Sequence, residues 1–367
     1  MRIVASDRYG IRPDAIPNPV TRVAPCDNPA TMRLDDRFDE LIDTLTGFHR
    51  TWLVYIGVEL GLFAKLREAG GDGLSPAELA GATGCAPGPI EAWASAADAH
   101  ELAELRNGRL LLDEDTAVIL LDEARPEFLG GQFVHSVIAS LDWSAMLDFF
   151  RTGKPIHERP DRYRQSIERL TVQDVAVFFQ EALAELPQLV DDLSRGGRVV
   201  DIHCGGGRWL IAMARRFPAL ELVGIELEAD SVERARANVA SAGLTDQIDI
   251  RHGEVTSLEM TADFDLAYFQ YALHQLRDPV LALRSAWAAL RPGGRLLVLD
   301  WSLPSTLDDF RTRQGELIAG VQLDELYQGT ALATREGVQA WFVAADLPQP
   351  ITIDLPSGAS LFMVERA

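Results

Sequence analysis

The run VVDIHCGGGRW, Val199 to Trp209, constrains this chain more than any other. An apolar strand ends in an acid, and three consecutive glycines follow before a helical stretch begins. Glycine carries no Cβ, so a loop built from it lets a ligand come close to the backbone. From Arg198 onward the short apolar runs RVVDI, LELVGIEL, IDIRHG, FDLAYFQ and GRLLVLDW alternate with helical stretches. That alternation is the pattern of a mostly parallel sheet with helices on both faces. The chain closes on ITIDL, the turn PSG and ASLFMVER, an antiparallel hairpin expected at the edge of the sheet. His203 is the odd residue of the loop, a bulky imidazole where something small is usual.

The upstream half follows different rules. Residues 1–30 carry Pro13, Pro17, Pro19, Pro25 and Pro29 with little apolar periodicity and read as a flexible arm. Phe38, Leu41, Ile42, Leu45 and Phe48 then recur at helical spacing, and the following residues are apolar on most faces. Such a helix has to be buried, and a second subunit is one way to bury it. Ser75, Pro76 and Glu78 form a helix start with a capping box. A second helix follows Pro87 and Pro89, and ELRNGRLLL is a hairpin turning at Asn107-Gly108. Helix, turn, helix and hairpin in that order look like a winged helix. The second of these helices holds Glu91, Trp93, Asp98, His100 and Glu101 and no lysine or arginine, so it reads as scaffold, not as a reader of DNA. RTGKPIHERPDRYRQSIERL is polar and reads as the connection between domains. The expected division is 1–30, 31–170 and 171–367.

Composition sets the outer limits. A length of 367 residues favours two domains. The formal net charge of −21 argues against a nucleic-acid partner, which needs clustered cations. No apolar run approaches a membrane span. Cys26, Cys85 and Cys204 make neither a disulfide framework nor a zinc signature, and a reducing cytoplasm is the simplest home. No metal site is expected.

Two ligands compete for the glycine loop. A dinucleotide fingerprint needs G-x-G-x-x-G, and Gly205 and Gly207 supply its first pair, but Leu210 stands at the third position. Glu226 ends the second strand nineteen residues beyond Gly207, where a carboxylate can accept both hydroxyls of a ribose. The combination suits a nucleoside without phosphates.

At this point the chain resembles the class I S-adenosylmethionine-dependent methyltransferases. The resemblance rests on DIHCGGG for the family's D-x-G-x-G-x-G, on GIEL for its second-strand acid, and on ALHQLRDP with LRPGGRLLVLD for its fourth and fifth strands. Upstream, ELGLFAKL, LSPAELAGATGC, the wing hairpin, DWSAMLDFFRTGKP and FFQEALAEL resemble the two-domain small-molecule O-methyltransferases. The resemblance implies an α/β, Rossmann-like, doubly wound and mostly parallel sheet, preceded by an α-helical winged-helix-like domain that pairs two subunits into a homodimer. It also implies S-adenosylmethionine as cofactor, S-adenosylhomocysteine as product and a small-molecule acceptor.

Site roles follow from the same resemblance. Asp201 lies near the methionine ammonium, and Gly205 and Gly207 let the chain pass close to the cofactor. Glu226 holds the ribose diol and Leu227 lies against the adenine. Glu254 and Val255 bind and pack on the adenine, and Gln270 lies close to the sulfonium. His203 stands where the family has Gly, and its side chain either turns aside or narrows the cofactor pocket. His274 matches the histidine that takes the acceptor's proton as general base, a task suited to imidazole. The same histidine can instead cap the following helix, and Gln275 replaces the Asp that often follows it. Phe133, His135, Trp143, Phe150, Phe179 and Leu183 match helices that line the acceptor site, and aromatic walls suit a planar acceptor. The reading is methyl transfer to an aromatic or polyketide-like metabolite, most simply at oxygen. The alternatives are C-methylation, or an enzyme of this fold that has lost methyl transfer and works as a hydroxylase, decarboxylase or pericyclase.

Overall fold

A computed structural model describes residues 33–156, 158–257 and 262–367. The arm expected over residues 1–30 lies outside the described residues. The chain divides into two compact units. One runs up to Ser144 and resumes over Pro160–Leu170, and the other comprises Ala145–Arg159 and Thr171–Ala367.

The first unit is helical with one hairpin. Its long helix, Leu34–Glu59, ends where Gly61 enters the left-handed region at φ 68°, and Leu62–Ala69 turns back against it. Phe63 packs so close to Gly57 that a Cβ there would sit 2.2 Å from its ring. The apolar stripe Leu34, Phe38, Leu41, Ile42, Leu45 and Phe48 stays exposed along the first half of the long helix. Ser75 caps Pro76–Thr83 in the reciprocal arrangement the sequence implies, with Glu78 Oε2 accepting from the Ser75 N–H at 2.8 Å. Strands β1 (Glu104–Arg106) and β2 (Arg109–Leu111) pair across Asn107 and Gly108, both left-handed, as a two-residue hairpin turn demands. The stretch read as a polar connection is in large part a helix, Asp161–Leu170. It buries Tyr163 and Ser166 and packs on Gly130–Ser140, where a Cβ on Gly131 would meet the Arg169 carbonyl oxygen at 1.9 Å. Ser166 Oγ lies 3.0 Å from His135 Nδ1 within this contact.

The second unit is built on a seven-stranded sheet. Its strands are β3 (Gly197–Ile202), β4 (Leu220–Glu226), β5 (Ile248–His252), β6 (Phe264–Gln270), β7 (Leu290–Asp300), β8 (Ile351–Asp354) and β9 (Ser360–Glu365). The order is β5-β4-β3-β6-β7-β9-β8, with β3 to β7 parallel and β9 and β8 antiparallel at one edge. The strand order reverses between β3 and β4 on one side and β6 on the other, which is where ligands bind in open α/β sheets. The strand period of two sends successive side chains to opposite faces. Val200, Ile202, Phe269 and Val298 join one core with Leu283 and Phe342, while Val199, Leu266, Tyr268 and Leu297 join another with Phe178, Trp209 and Met213. Asp201 pairs in register with Tyr268, so it belongs to the second of these faces, beside the tilted rings of Tyr268 and Trp209 at 4.5 Å.

Candidate active site

The glycine loop runs from the end of β3 into the helix Arg208–Arg216. His203, Gly205 and Gly207 all have positive φ, at 66°, 51° and 74°. The two glycines adopt this at little cost, whereas an L side chain held there costs about 1–3 kcal/mol. The loop is tied down on both sides. The N–H groups of His203 and Cys204 both donate to the Ile225 carbonyl, at 2.8 and 3.1 Å, and Asn238 Nδ2 donates to the Gly206 carbonyl at 2.9 Å. A Cβ on Gly205 would meet nothing within 4 Å, so the loop is open on that side.

Two acids stand beneath the loop. Glu226, at the end of β4, is buried, and its Oε2 accepts from the Gly205 N–H at 2.9 Å. Its Oε1 accepts from the N–H groups of Leu227 and Glu228 at 2.9 and 3.0 Å. His203 Nδ1 lies 3.6 Å from Oε2. Asp201 is also buried, and burial together with the nearby Glu226 charge pushes its carboxyl up to about 8. Its Oδ1 has no hydrogen-bond partner. A buried acid in that state favours either a proton or a cation beside it.

The other residues named for the cofactor stand at or just beyond strand ends. Leu227 is exposed next to Glu226, its carbonyl fixed by His252 Nε2 at 2.8 Å. Glu254 and Val255 follow β5, Val255 buried in a short 3-10 turn. Gln270 ends β6, with a buried Oε1 that has no partner. Its side chain is the hydrogen-bond partner of Asp174, a buried acid on Val172–Val177 that burial raises to about 7. Asp174 is not legible as a site residue in the sequence. One turn further on, the helix widens into a π-turn over Phe178–Ala182, a distortion frequent at functional sites.

His274 sits in a 3-10 turn just beyond β6 and is almost completely buried. Its Nδ1 is held by both oxygens of Asp300, at 2.8 and 2.9 Å, and its Nε2 lies 3.7 Å from Glu325 Oε2. Burial opposes a charge on the ring, yet Asp300 and then Glu325 outweigh it and push the imidazole up to about 10. Nε2 makes no hydrogen bond. The orienting partner that Gln275 does not supply is therefore Asp300, which also accepts from the Trp301 N–H at 2.9 Å. An acid closing the otherwise apolar run LLVLD is the signal for it. Glu325 lies on Arg313–Gln328 among other acids, with nothing local to single it out.

The residues expected at the acceptor divide between the units. Phe133, His135 and Trp143 belong to the first, and Phe150, Phe179 and Leu183 to the second. Trp143 is 43% and Phe150 65% exposed, so neither is a core residue within its own unit. Phe179 and Leu183 line a groove with Val190, Ala212, Arg216 and Phe217, whose lining includes neither His274 nor Gln270.

The site suits S-adenosylmethionine. Glu226 offers an acceptor for a ribose hydroxyl at a strand end, Asp201 has an orphaned oxygen for an ammonium, and the open face of Gly205 is a cradle that a Cβ would fill.

Comparison with known proteins agrees. Residues 199–294 match the family model described as a methyltransferase domain. The chain is 37% identical over 172 residues to aclacinomycin 10-hydroxylase RdmB of Streptomyces purpurascens, covering 44% of this chain and 45% of that protein. It is 29% identical over 271 residues to 3-hydroxy-5-methyl-1-naphthoate 3-O-methyltransferase of Streptomyces sahachiroi, covering 70% and 75%. The chain spans about half the length of several of the curated relatives it matches, 45% and 48% in two cases. Among solved structures, human N-acetylserotonin methyltransferase in complex with SAM shares the fold at a TM-score of 0.71 and 18% identity, over 93% of this chain and all of that one. Residues 199–294 thus form a methyltransferase domain, on a fold that the chain shares with solved small-molecule methyltransferases, with S-adenosylmethionine as cofactor.

Proposed function

We propose that the protein methylates a hydroxyl oxygen of a small aromatic or polyketide-like metabolite, with His274 as general base. The observation that carries this reading is the buried His274 ring, fixed through Nδ1 to Asp300, with an Nε2 that makes no hydrogen bond and lies 3.7 Å from Glu325. S-adenosylmethionine supplies the methyl group on a sulfonium. Methyl transfer is an in-line displacement, so the protein contributes chiefly position and the removal of one proton. Asp201, the loop at Gly205 and Gly207, and Glu226 hold the cofactor. Asp300 fixes the tautomer of His274 so that Nε2 can receive the acceptor's proton. Because the two carboxylates keep the ring charged at neutral pH, the base form is scarce there and grows with pH. The naphthoate 3-O-methyltransferase relative supports oxygen as the target.

One observation favours a second reading. The 37% identical relative is named as a hydroxylase, and His203 stands in the loop where the family has glycine. An enzyme that keeps the cofactor and works without methyl transfer is the alternative. Incubation with methyl-labelled S-adenosylmethionine and hydroxylated polycyclic aromatics separates the two. Methyl transfer gives a labelled product heavier by one CH₂; hydroxylation, with air as the source of O₂ and an added thiol as the two-electron reductant that takes the second oxygen atom to water, gives an unlabelled product heavier by one oxygen.

The reading includes a homodimer in the cytoplasm, paired through the N-terminal helices, with acceptor-lining roles for the aromatic residues named above. The exposed stripe Leu34, Phe38, Leu41, Ile42, Leu45 and Phe48 is too long and regular for a monomer's surface. Light scattering at micromolar concentration tests the assembly, with twice the chain mass expected and the single-chain mass as the contrary result. Among the described residues no helix is long and apolar enough to cross a membrane.

A further inference from the structure

Glu226 has little capacity left for a diol. An ionised carboxylate offers about four acceptor positions, two on each oxygen. The N–H groups of Leu227 and Glu228 occupy both positions on Oε1, and the Gly205 N–H occupies one on Oε2. A single position remains, on Oε2. A ribose brings two neighbouring hydroxyls, so one of them needs a partner other than this carboxylate.

The imidazole of His203 stands beside that position. Its Nδ1 is 3.6 Å from Oε2, too far for a direct hydrogen bond and near enough for two adjacent hydroxyls to reach one group each. The ring is a third exposed, so it is accessible from the open side of the loop. The backbone at His203 is left-handed and is held by the bond from its N–H to the Ile225 carbonyl. Glycine would take this conformation without strain, and a histidine held there instead brings a polar atom up to Glu226.

We propose that His203 and Glu226 form a split clamp for the ribose of the cofactor: Oε2 of Glu226 accepts from one hydroxyl, and Nδ1 of His203 hydrogen-bonds to the other. The proposal rests on the reading of this site as one for S-adenosylmethionine and adds to it a side chain of the glycine loop as half of the sugar recognition.

The test is calorimetric titration of the full chain and of His203→Gly with S-adenosylhomocysteine and with its 2′-deoxy and 3′-deoxy analogues. The wild type is expected to bind each deoxy analogue about tenfold more weakly than the parent, the loss of one hydrogen bond. His203→Gly is expected to bind the parent about tenfold more weakly and to lose discrimination at one hydroxyl while keeping it at the other. The glycine fits the local φ without strain, so the variant retains the loop. Unchanged discrimination at both hydroxyls in His203→Gly, or parent binding as tight as in the wild type, would overturn the clamp and leave the cofactor reading standing. No binding of S-adenosylhomocysteine by the wild type would overturn both.

Discussion

Both oxygens of Asp300 lie within 2.9 Å of Nδ1 of His274, so the ring has one orientation and one nitrogen left for chemistry. With the imidazole pushed up to about 10 by Asp300 and Glu325, a base role has a definite signature. The kcat/KM for a hydroxyl acceptor should rise with pH through the neutral range and level off near pH 10. Asp300→Asn should move that limb toward neutral pH and lower the maximum by about 10²-fold, because the ring loses its orientation. A profile flat from pH 6 to 9 in the wild type would make His274 a donor or a structural residue. The linked stability runs the opposite way. The folded value lies above the unfolded one, so the stabilisation is complete below about pH 6.5 and is lost as pH rises toward 10.

Asp201 ties cofactor binding to a proton. Its carboxyl, raised to about 8 by burial and by Glu226, is largely protonated at pH 7 and must ionise to accept an ammonium. Binding of S-adenosylhomocysteine should therefore release a proton, and affinity should climb by up to about tenfold per unit as pH rises toward 8. Titration in buffers of different ionisation enthalpy reads the release directly. Asp201→Asn should abolish it and bind more weakly.

Two glycines in this unit separate binding from folding. A Cβ on Gly205 meets open space, whereas one on Gly224 meets Cys204 Sγ and Leu210 at 2.7 Å. Gly205→Ala should cost about 1 kcal/mol of stability for its left-handed φ, yet weaken cofactor binding at least about tenfold by filling the cradle. Gly224→Ala should destabilise by about 1–3 kcal/mol through overpacking of the core. Urea unfolding alongside titration decides, and the reverse ranking of the two variants in stability would refute the assignment.

Asp174 predicts a pH-dependent gain from a conservative change. Burial raises its carboxyl to about 7, so the folded protein binds a proton that the unfolded chain has released. Stability from this group falls as pH rises from about 4 to about 7 and is constant beyond. Asp174→Asn should leave stability near pH 4 unchanged and raise it by on the order of a few kcal/mol at pH 8. Equal stabilities of variant and wild type at pH 8 would mean that the acid is ionised and solvated.

The α/β half was legible because each strand is a short apolar run and the acids proposed to hold the cofactor stand at or near strand ends. Asp201, Glu226 and the loop glycines could be placed from local pattern alone. What joins His274 to Asp300 is not local. The two lie 26 residues apart and meet because β6 pairs in register with β7, Gln270 opposite Leu299. Glu325 sits in a helix rich in acids, where no spacing marks the one that faces the ring. The helix Asp161–Leu170 reads as a linker because nearly all its residues are polar, and its burial depends on Gly131 letting another backbone approach. His203 stood out as misplaced bulk, but its relation to Glu226 required the left-handed backbone to be seen.

We infer that this site binds S-adenosylmethionine and that His274 lets an acceptor oxygen take its methyl group. The most direct measurement is transfer of an isotopically labelled methyl group from S-adenosylmethionine to a panel of hydroxylated aromatic metabolites, by wild type and His274→Ala, with binding of S-adenosylhomocysteine measured in parallel. Labelled O-methyl product is expected from the wild type, with a loss of about 10²-fold or more in His274→Ala and nearly equal binding by both proteins. Equal transfer by the two proteins, or wild-type protein that binds the cofactor and yields a hydroxylated, unlabelled product, would contradict it.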